Sequence, residues 1–133
     1  MIGGRVLDTS ALYAWSRRSP YLEAVAWSSL QDHIVIAVPI PALAAAYGQI
    51  RDRDRDILDV LLNLPVTITT GELTRANASS LARTLRSAGG HAPAALTAAS
   101  VVEAATSRDW PVLTAEPYPL RALAPHLVIE PLP

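Results

Sequence analysis

Short apolar runs alternate with longer segments of helical periodicity along the chain. Strands joined by helices of about ten or more residues favour parallel pairing through crossover connections. The sequence therefore predicts a three-layer α/β/α sandwich with a mainly parallel sheet, as a single domain over residues 1–133. The predicted strands are Arg5–Leu7, His33–Val38, Val66–Thr69, Val112–Thr114 and Leu127–Ile129. The predicted helices begin near Ser10, Pro20, Pro39, Arg53, Glu72 and Pro93, with a short turn near Leu120.

Several of the predicted helix ends carry sequence signals. Ser19 precedes Pro20, which places a cap residue before a proline that the first helical turn tolerates. Thr69 stands three residues before Glu72, the spacing of a capping box. The Gly-Gly pair before His91 is expected to end one helix, and the next helix is expected to open after His91. His91 itself could be a general base or an ordinary loop histidine.

Composition narrows the classes of function. The chain has no cysteine and three histidines, which excludes disulfides and thiol catalysis and argues against a metal site built from several histidines. The net charge of −1 is not the positive overall charge typical of nucleic-acid-binding proteins. Any contact with RNA would therefore come from a local arginine cluster. No apolar run reaches the roughly 18 residues that span a bilayer, and the N-terminus lacks a signal-peptide layout. We therefore expect a cytoplasmic protein without membrane contact.

Two acidic residues stand just past the predicted ends of strands. Asp8 follows the first strand and precedes Thr9 and Ser10, and Glu116 lies shortly after Thr114, the end of the fourth strand. Because ligands gather beyond the carboxyl ends of parallel strands, both acids are expected on the ligand-binding edge. Carboxylate oxygens at that edge could hold Mg²⁺ or Mn²⁺. Equally, Asp8 could be a helix cap and Glu116 an exposed loop acid.

The stretch RDRDRDILD alternates charges of opposite sign. At helical spacing Asp52 would meet Arg55 and Arg53 would meet Asp56, which favours a self-neutralising, solvated helix face. The alternative is that Arg51, Arg53 and Arg55 contact the phosphates of a nucleic acid. Under that alternative, this stretch would supply the contacts with RNA.

Four stretches follow one another in an order typical of one family. They are VLDTSALYAW, IVIAVPIPALAAAYGQI, PAALTAASVVEAATSRDWPVLTAEPYPLRAL and LVIEPLP, and they cover nearly the whole chain. Together they resemble the PIN domain, the small nuclease fold that includes the VapC toxins of bacterial toxin–antitoxin pairs. The resemblance implies a PIN-like fold, a Mg- or Mn-dependent ribonuclease site, and a homodimer or a heterodimer with another PIN protein or an antitoxin.

The resemblance also implies where the metal-binding acids should lie. PIN nucleases carry four acidic positions; Asp8 matches the first, and Glu116 matches the fourth, where Asp is usual. Thr114 matches the polar residue beside the fourth position, and Thr9 and Ser10 are expected, like Thr114, to be supporting polar residues of the site.

The second position falls on Ala45, with Ala44 or Ala46 in the neighbouring registers, and the third falls on Ala95, with Ala94 as the other choice. In each register two of the four acids are missing.

The loss of two acids changes the expected function. Two carboxylates give a site charge of about −2, which holds a dication weakly, and alanine cannot orient the attacking water. We expect a PIN-domain protein with a degenerate site, weakened or inactive as a ribonuclease, that acts through binding or regulation. The alternative is an active Mg- or Mn-dependent endoribonuclease, the toxin of a toxin–antitoxin pair, with an unusual ligand set.

Overall fold

The computed structural model of the chain describes residues 3–87 and 93–133. Strands and helices alternate in this part of the chain, with a 3₁₀ turn at Asp52–Asp54. The strands are β1 (Gly4–Leu7), β2 (Val35–Pro39), β3 (Thr67–Thr70), β4 (Val112–Thr114) and β5 (Ile129–Pro131). The helices are α1 (Thr9–Ser16), α2 (Pro20–Asp32), α3 (Ile40–Gln49), α4 (Arg55–Leu62), α5 (Arg75–Ser87), α6 (Pro93–Arg108) and α7 (Pro117–Leu123).

The strands form one sheet in the order β3-β2-β1-β4-β5. Every pairing is parallel, with Val6 of β1 opposite Ala37 of β2 on one side and Val112 of β4 on the other. The predicted three-layer α/β/α sandwich is confirmed. Strands β2 and β3 lie on one side of β1, and the chain then returns to place β4 and β5 on the other side of β1. The direction in which strands are added to the sheet therefore reverses between β1 and β4. A crevice forms beyond the carboxyl ends of strands at such a point.

The central strands supply the middle of the core. Every residue of β4 is buried, and in β2 only Val35 is partly accessible. Both strands are continuously apolar in the sequence up to their ends, as parallel strands covered on both faces are expected to be. The edge strand β3 differs, because Ile68 and Thr69 are exposed. At the opposite edge, Pro131 of β5 pairs with Thr114.

Two predicted strands begin two residues later than the sequence pattern indicates. The helix α2 ends at His33, which has a left-handed backbone with φ of 55°, and β2 therefore begins at Val35. The strand β5 begins at Ile129, because the Leu127 amide closes a turn on the Ala124 carbonyl at 3.0 Å. In both places, residues that the apolar pattern alone assigns to the strand lie in a turn instead.

The capping box predicted from Thr69 and Glu72 is wrong. Thr69 pairs with Val38 in the sheet, so β3 continues past it and no helix opens there. The cap of α5 is Thr74 instead, whose Oγ1 accepts a hydrogen bond from the Asn77 amide at 3.2 Å. Sheet pairing has overridden a local helix signal.

The predicted N-cap at Ser19 is confirmed, since its hydroxyl accepts from the Leu22 amide at 3.4 Å with Pro20 in the first turn. The Gly-Gly pair and His91 lie outside the described residues. Within the described ranges, no helix is both long and apolar enough to cross a membrane.

One close approach involves the first residue of β1. A Cβ atom added to Gly4 would lie 2.6 Å from ring atoms of Trp110, the half-buried residue that comes shortly before β4. Such a distance is shorter than van der Waals contact, so the indole ring lies where only a glycine leaves room.

Candidate functional site

Asp8 lies where β1 ends and α1 begins. Its backbone is extended, and its Oδ1 accepts a hydrogen bond from the Ala11 amide at 2.9 Å, so it is the N-cap of α1. The residue is 8% exposed, and a carboxylate this buried needs hydrogen-bond partners. The interpretation of Asp8 as a helix cap is therefore confirmed.

Two hydroxyl groups contact the same carboxylate. Ser10 Oγ lies 2.7 Å from Asp8 Oδ1, and Thr114 Oγ1 is hydrogen-bonded to Asp8 Oδ2. Thr114 is the last residue of β4 and is fully buried. Together with the Ala11 amide, these groups give both oxygens of Asp8 a donor from within the protein.

The turn after β4 supplies amide donors to both hydroxyl oxygens. The Ala115 amide donates to Ser10 Oγ at 2.9 Å, and the Glu116 amide donates to Thr114 Oγ1 at 2.8 Å. A carboxylate can only accept, so each hydroxyl directs its single proton to Asp8, and its oxygen accepts from the amide of the turn. The two hydroxyl oxygens lie 3.2 Å apart, but both protons are used by the carboxylate. We call Asp8, Ser10 and Thr114 the Asp8 cluster.

Glu116 contacts the Asp8 cluster through its backbone amide. Its amide bonds to Thr114, whereas its side chain is exposed and makes no capping hydrogen bond to α7. Thr9 takes no part in the cluster, because its Oγ1 donates to the Ala42 carbonyl of α3 at 3.1 Å. Of the residues predicted for the site, the structure thus brings Asp8, Ser10 and Thr114 into side-chain contact.

The two positions where the resemblance implies lost acids lie in helices. Ala45 belongs to α3 and Ala95 to α6, and both are half-buried. Their methyl groups supply no oxygen ligand. In residues 3–87 and 93–133, no group of three or more histidine, aspartate or glutamate side chains could hold a metal ion. The described chain thus presents separate acids rather than an acidic cluster.

Two arginines of the RDRDRD stretch, Arg53 and Arg55, have partners within the protein. Arg53 Nε lies 3.7 Å from Asp54 Oδ1. The Arg55 guanidinium lies 4.5 Å from the centre of the Tyr47 ring, a cation–π contact between α4 and α3. Arg51 precedes the 3₁₀ turn and is exposed. The phosphate contacts expected of these residues stay a prediction.

The ion pairs predicted in this stretch are wrong. Among the described residues, no ion pair joins Asp52 to Arg55 or Arg53 to Asp56. The first residues of the stretch form a 3₁₀ turn and α4 begins only at Arg55, so these pairs lack the spacing of one continuous α-helix.

Tyr47 lies between groups of opposite charge. Its hydroxyl donates to Asp59 Oδ1 at 3.4 Å, while Arg55 covers its ring. Burial and the negative charge of Asp59 raise the pKa of the Tyr47 phenol, and Arg55 opposes them without reversing the direction. This contact between α3 and α4 was not predicted from the sequence.

Sequence reasoning also missed the turn amides of Ala115 and Glu116, which donate to the Asp8 cluster. A signal was present in Pro117, the first residue of α7. A proline there biases the residue before it away from helical backbone angles, so the preceding amides stay outside the helix and can donate to other groups.

The fold is similar to that of solved structures. The sequence matches no protein-family model and no curated protein. Eight chains of solved structures match. One belongs to the crystal structure of VapBC2 from Rickettsia felis bound to a DNA fragment from their promoter, with 15% sequence identity and a TM-score of 0.70. The match covers 98% of this chain and 99% of that chain.

At 15% identity this likeness establishes the fold alone. The five-stranded parallel sheet and its helices form the PIN-like α/β/α architecture of VapC-type proteins over nearly the whole chain. The PIN-like fold predicted from the sequence is confirmed.

Proposed function

We propose that this protein carries a degenerate PIN site, that it is inactive or much weakened as a ribonuclease, and that it acts through binding to a partner. One observation carries the proposal. Both oxygens of Asp8, the buried acid at the strand tips, already accept hydrogen bonds from within the protein. Oδ1 accepts two of these bonds and Oδ2 accepts one, so Asp8 retains a single lone pair, on Oδ2, for a metal ion.

The residues at the strand tips do not fit a tightly held magnesium or manganese ion. Magnesium demands a near-octahedral set of oxygen ligands and loses its waters reluctantly. Asp8 could offer the remaining lone pair of Oδ2, and Glu116 is the other candidate ligand. Ala45 and Ala95 offer no oxygen. Asp8 and Glu116 would therefore hold a dication weakly at best.

The same residues are poorly suited to phosphodiester cleavage. A divalent ion in a nuclease activates a water for attack on phosphorus. The methyl groups of Ala45 and Ala95 can neither orient nor deprotonate that water. The carboxylate of Glu116 is exposed and has no capping hydrogen bond to fix it, and imprecise positioning of a catalytic group is costly in rate.

The similar solved structure supports the binding part of the proposal. It is described as VapBC2 bound to a DNA fragment from the promoter, which is an assembly rather than an isolated chain. By analogy, we infer that the partner is an antitoxin-type protein, another PIN protein or a second copy of this chain. Trp27 of α2 is 64% exposed and offers apolar surface for such a contact. Arg51, Arg53 and Arg55 would bind RNA without cleaving it.

Calorimetric titration with manganese, combined with an RNA-cleavage assay, tests the degenerate site. We expect no binding tighter than millimolar and no cleavage above the level of a heat-denatured sample. Asp8→Ala is the matched control and should leave both readouts unchanged. Submillimolar manganese binding and RNA cleavage that are both lost in Asp8→Ala would establish the active Mg- or Mn-dependent endoribonuclease instead.

Light scattering behind a sizing column tests association with a second copy. A homodimer gives a mass that falls to that of one chain on dilution, and Trp27→Glu should shift this transition to higher protein concentration. Glu23→Gln, on an exposed position of the same helix, is the control. A chain that is monomeric at every concentration excludes the homodimer and directs the search to a different partner protein.

A further inference from the structure

A polar cavity lies away from the Asp8 cluster, between α5, α6 and the end of the edge strand β3. Its volume is about 240 Å³. The lining residues that matter here are Thr70, Leu81, Ser100, Glu103, Ala104 and Arg108. None of them belongs to the Asp8 cluster.

The cavity wall contains a buried hydroxyl without a partner. Thr70 is 7% exposed, and its Oγ1 has no hydrogen-bond partner among the described residues. Buried polar groups are almost always hydrogen-bonded, so an unpaired one beside a cavity indicates a partner that enters the cavity. The group that would fill this role has to be polar and small enough to reach the end of β3.

The other buried residues of the wall complete a surface that is partly polar and partly apolar. Ser100 is buried, and its hydroxyl donates to the Thr97 carbonyl at 2.7 Å, which leaves its oxygen able to accept. Leu81 and Ala104 are buried and apolar. A ligand would therefore meet two hydroxyl groups and an apolar wall.

Two opposite charges line the same cavity. Among the described residues no ion pair joins Glu103 to Arg108. Glu103 Oε2 accepts from Thr84 at 3.1 Å, and a carboxylate with one such bond can accept further donors. Arg108 Nη1 donates to the Ala104 carbonyl at 3.2 Å and to Ser107 Oγ at 3.1 Å, and a guanidinium has five N–H groups. Both charges thus retain capacity for a ligand.

We propose that this cavity binds a free α-amino acid. The ammonium group of the ligand lies towards Glu103 and its carboxylate towards Arg108, which can hold a carboxylate with two parallel N–H groups. The hydroxyls of Thr70 and Ser100 bond to the ammonium group, the carboxylate or a polar side-chain atom of the ligand. A ligand with a single charge would leave one of the two side chains unmatched. The site is independent of the proposed function, since it uses no residue of the Asp8 cluster.

The test follows amide chemical shifts in two-dimensional NMR spectra as pools of the proteinogenic amino acids are added, and each active pool is then resolved into its members. We expect shifts that concentrate on α5, α6 and the end of β3. For each amino acid that binds, two matched compounds are the controls: one lacks only the carboxylate and the other lacks only the amino group. For L-serine these compounds are ethanolamine and 3-hydroxypropionate. Each should bind at least about tenfold more weakly, because it leaves a charged side chain unpaired.

Two shape-conserving variants assign the binding to this cavity. Thr70→Val removes the unpaired hydroxyl, so it should keep or raise the melting temperature of the ligand-free protein while it weakens binding. Glu103→Gln should weaken binding about tenfold or more through loss of the charge that meets the ammonium group. Glu23→Gln on α2 controls for a general loss of negative charge. Absence of shifts with every amino acid, or shifts that persist unchanged in both cavity variants, would overturn the proposal.

Discussion

The hydroxyl of Thr114 donates to the carboxylate of Asp8 across 106 positions of the sequence. The contact exists because β1 and β4 are neighbours in the sheet and both end at the same edge. It joins the start of α1 to the turn before α7 through a single buried acid. In this arrangement the Asp8 carboxylate accepts hydrogen bonds from two hydroxyl groups and one backbone amide.

Removal of the Thr114 hydroxyl should destabilise the fold. Thr114→Val keeps the shape of the side chain but leaves Asp8 Oδ2 without its donor and the Glu116 amide without its acceptor. We expect the free energy of unfolding to fall by about 1–3 kcal/mol, the usual consequence of an unsatisfied buried group. Urea denaturation measures the change. Ser28→Ala, whose hydroxyl bonds only to the Val25 carbonyl within α2, should stay within about 0.5 kcal/mol of the original protein. Equal stability of both variants would contradict the prediction.

Restoration of both missing acids should create metal affinity. A protein with Ala45→Glu and Ala95→Asp should bind manganese at least about tenfold more tightly than the original chain, because it gains two oxygen ligands and two charges. Calorimetry gives the affinity, and circular dichroism shows that the variant is folded.

The control for this gain moves one acid by a single position. Ala44 is exposed, so Ala44→Glu with Ala95→Asp carries the same charge but places one carboxylate in solvent. Its affinity should stay near that of the original chain. If the two double variants bind manganese equally, the assignment of Ala45 is refuted. Asp8→Ala added to the first variant should remove the gain.

The titration of Tyr47 should respond to Asp59. Asp59 helps to raise the pKa of the phenol, so Asp59→Asn should lower it towards the usual value of a tyrosine. The absorbance of tyrosinate, taken as the difference between each protein and its Tyr47→Phe version, follows this one group. Asp56→Asn removes an exposed acid of the same helix as a control. A Tyr47 titration that Asp59→Asn leaves in place would speak against the hydrogen bond between them.

The raised pKa of Tyr47 also sets a pH dependence of stability. The folded state holds the phenol proton more tightly than the unfolded state, so this contribution is present below about pH 10 and is lost as the pH rises through the folded-state value. The difference in unfolding free energy between the original protein and Tyr47→Phe should therefore shrink above about pH 10. A difference that is constant across that range would argue against the direction of the shift.

The contact between Gly4 and Trp110 predicts a steric effect. Gly4→Ala places a methyl group 2.6 Å from the indole, and the displacement of that ring should lower the unfolding free energy by about 1–3 kcal/mol. Gly3→Ala is the matched control, because an added Cβ there meets nothing within 4 Å. Thermal unfolding compares the two. Gly4→Ala introduced into Trp110→Ala should have a much smaller effect, since the two sites share the contact.

Chain order alone was sufficient to place Asp8 and Thr114 at one edge of the sheet. Short apolar strands with helical crossovers bring every carboxyl end to that edge. Their pairing could be expected, but the amide donors of Ala115 and Glu116 were not predicted. Pro117 signals that the residue before it stays outside the helix, but the path of the turn that aims both amides at Ser10 and Thr114 depends on tertiary contacts.

Local spacing rules failed where a longer-range contact decided the backbone. Thr69 carried the spacing of a helix cap, but its pairing with Val38 extended β3. The acids and arginines around Asp52 suggested an α-helical charge pattern, but a 3₁₀ turn changed their spacing. The cavity beside Thr70 is formed where the consecutive elements β3, α5 and α6 pack together, and this packing could not be predicted from local sequence patterns.

Pro131 makes one edge of the sheet unsuitable for addition of a further strand. The Leu132 amide points inward and donates to the Thr114 carbonyl at 2.9 Å. Successive amides of a strand face opposite sides, so the nitrogen of Pro131 faces outward, and proline has no proton to offer. A strand from another molecule would find a donor missing at β5. Aggregation by sheet extension should therefore start at β3, where Ile68 and Thr69 are exposed at the opposite edge.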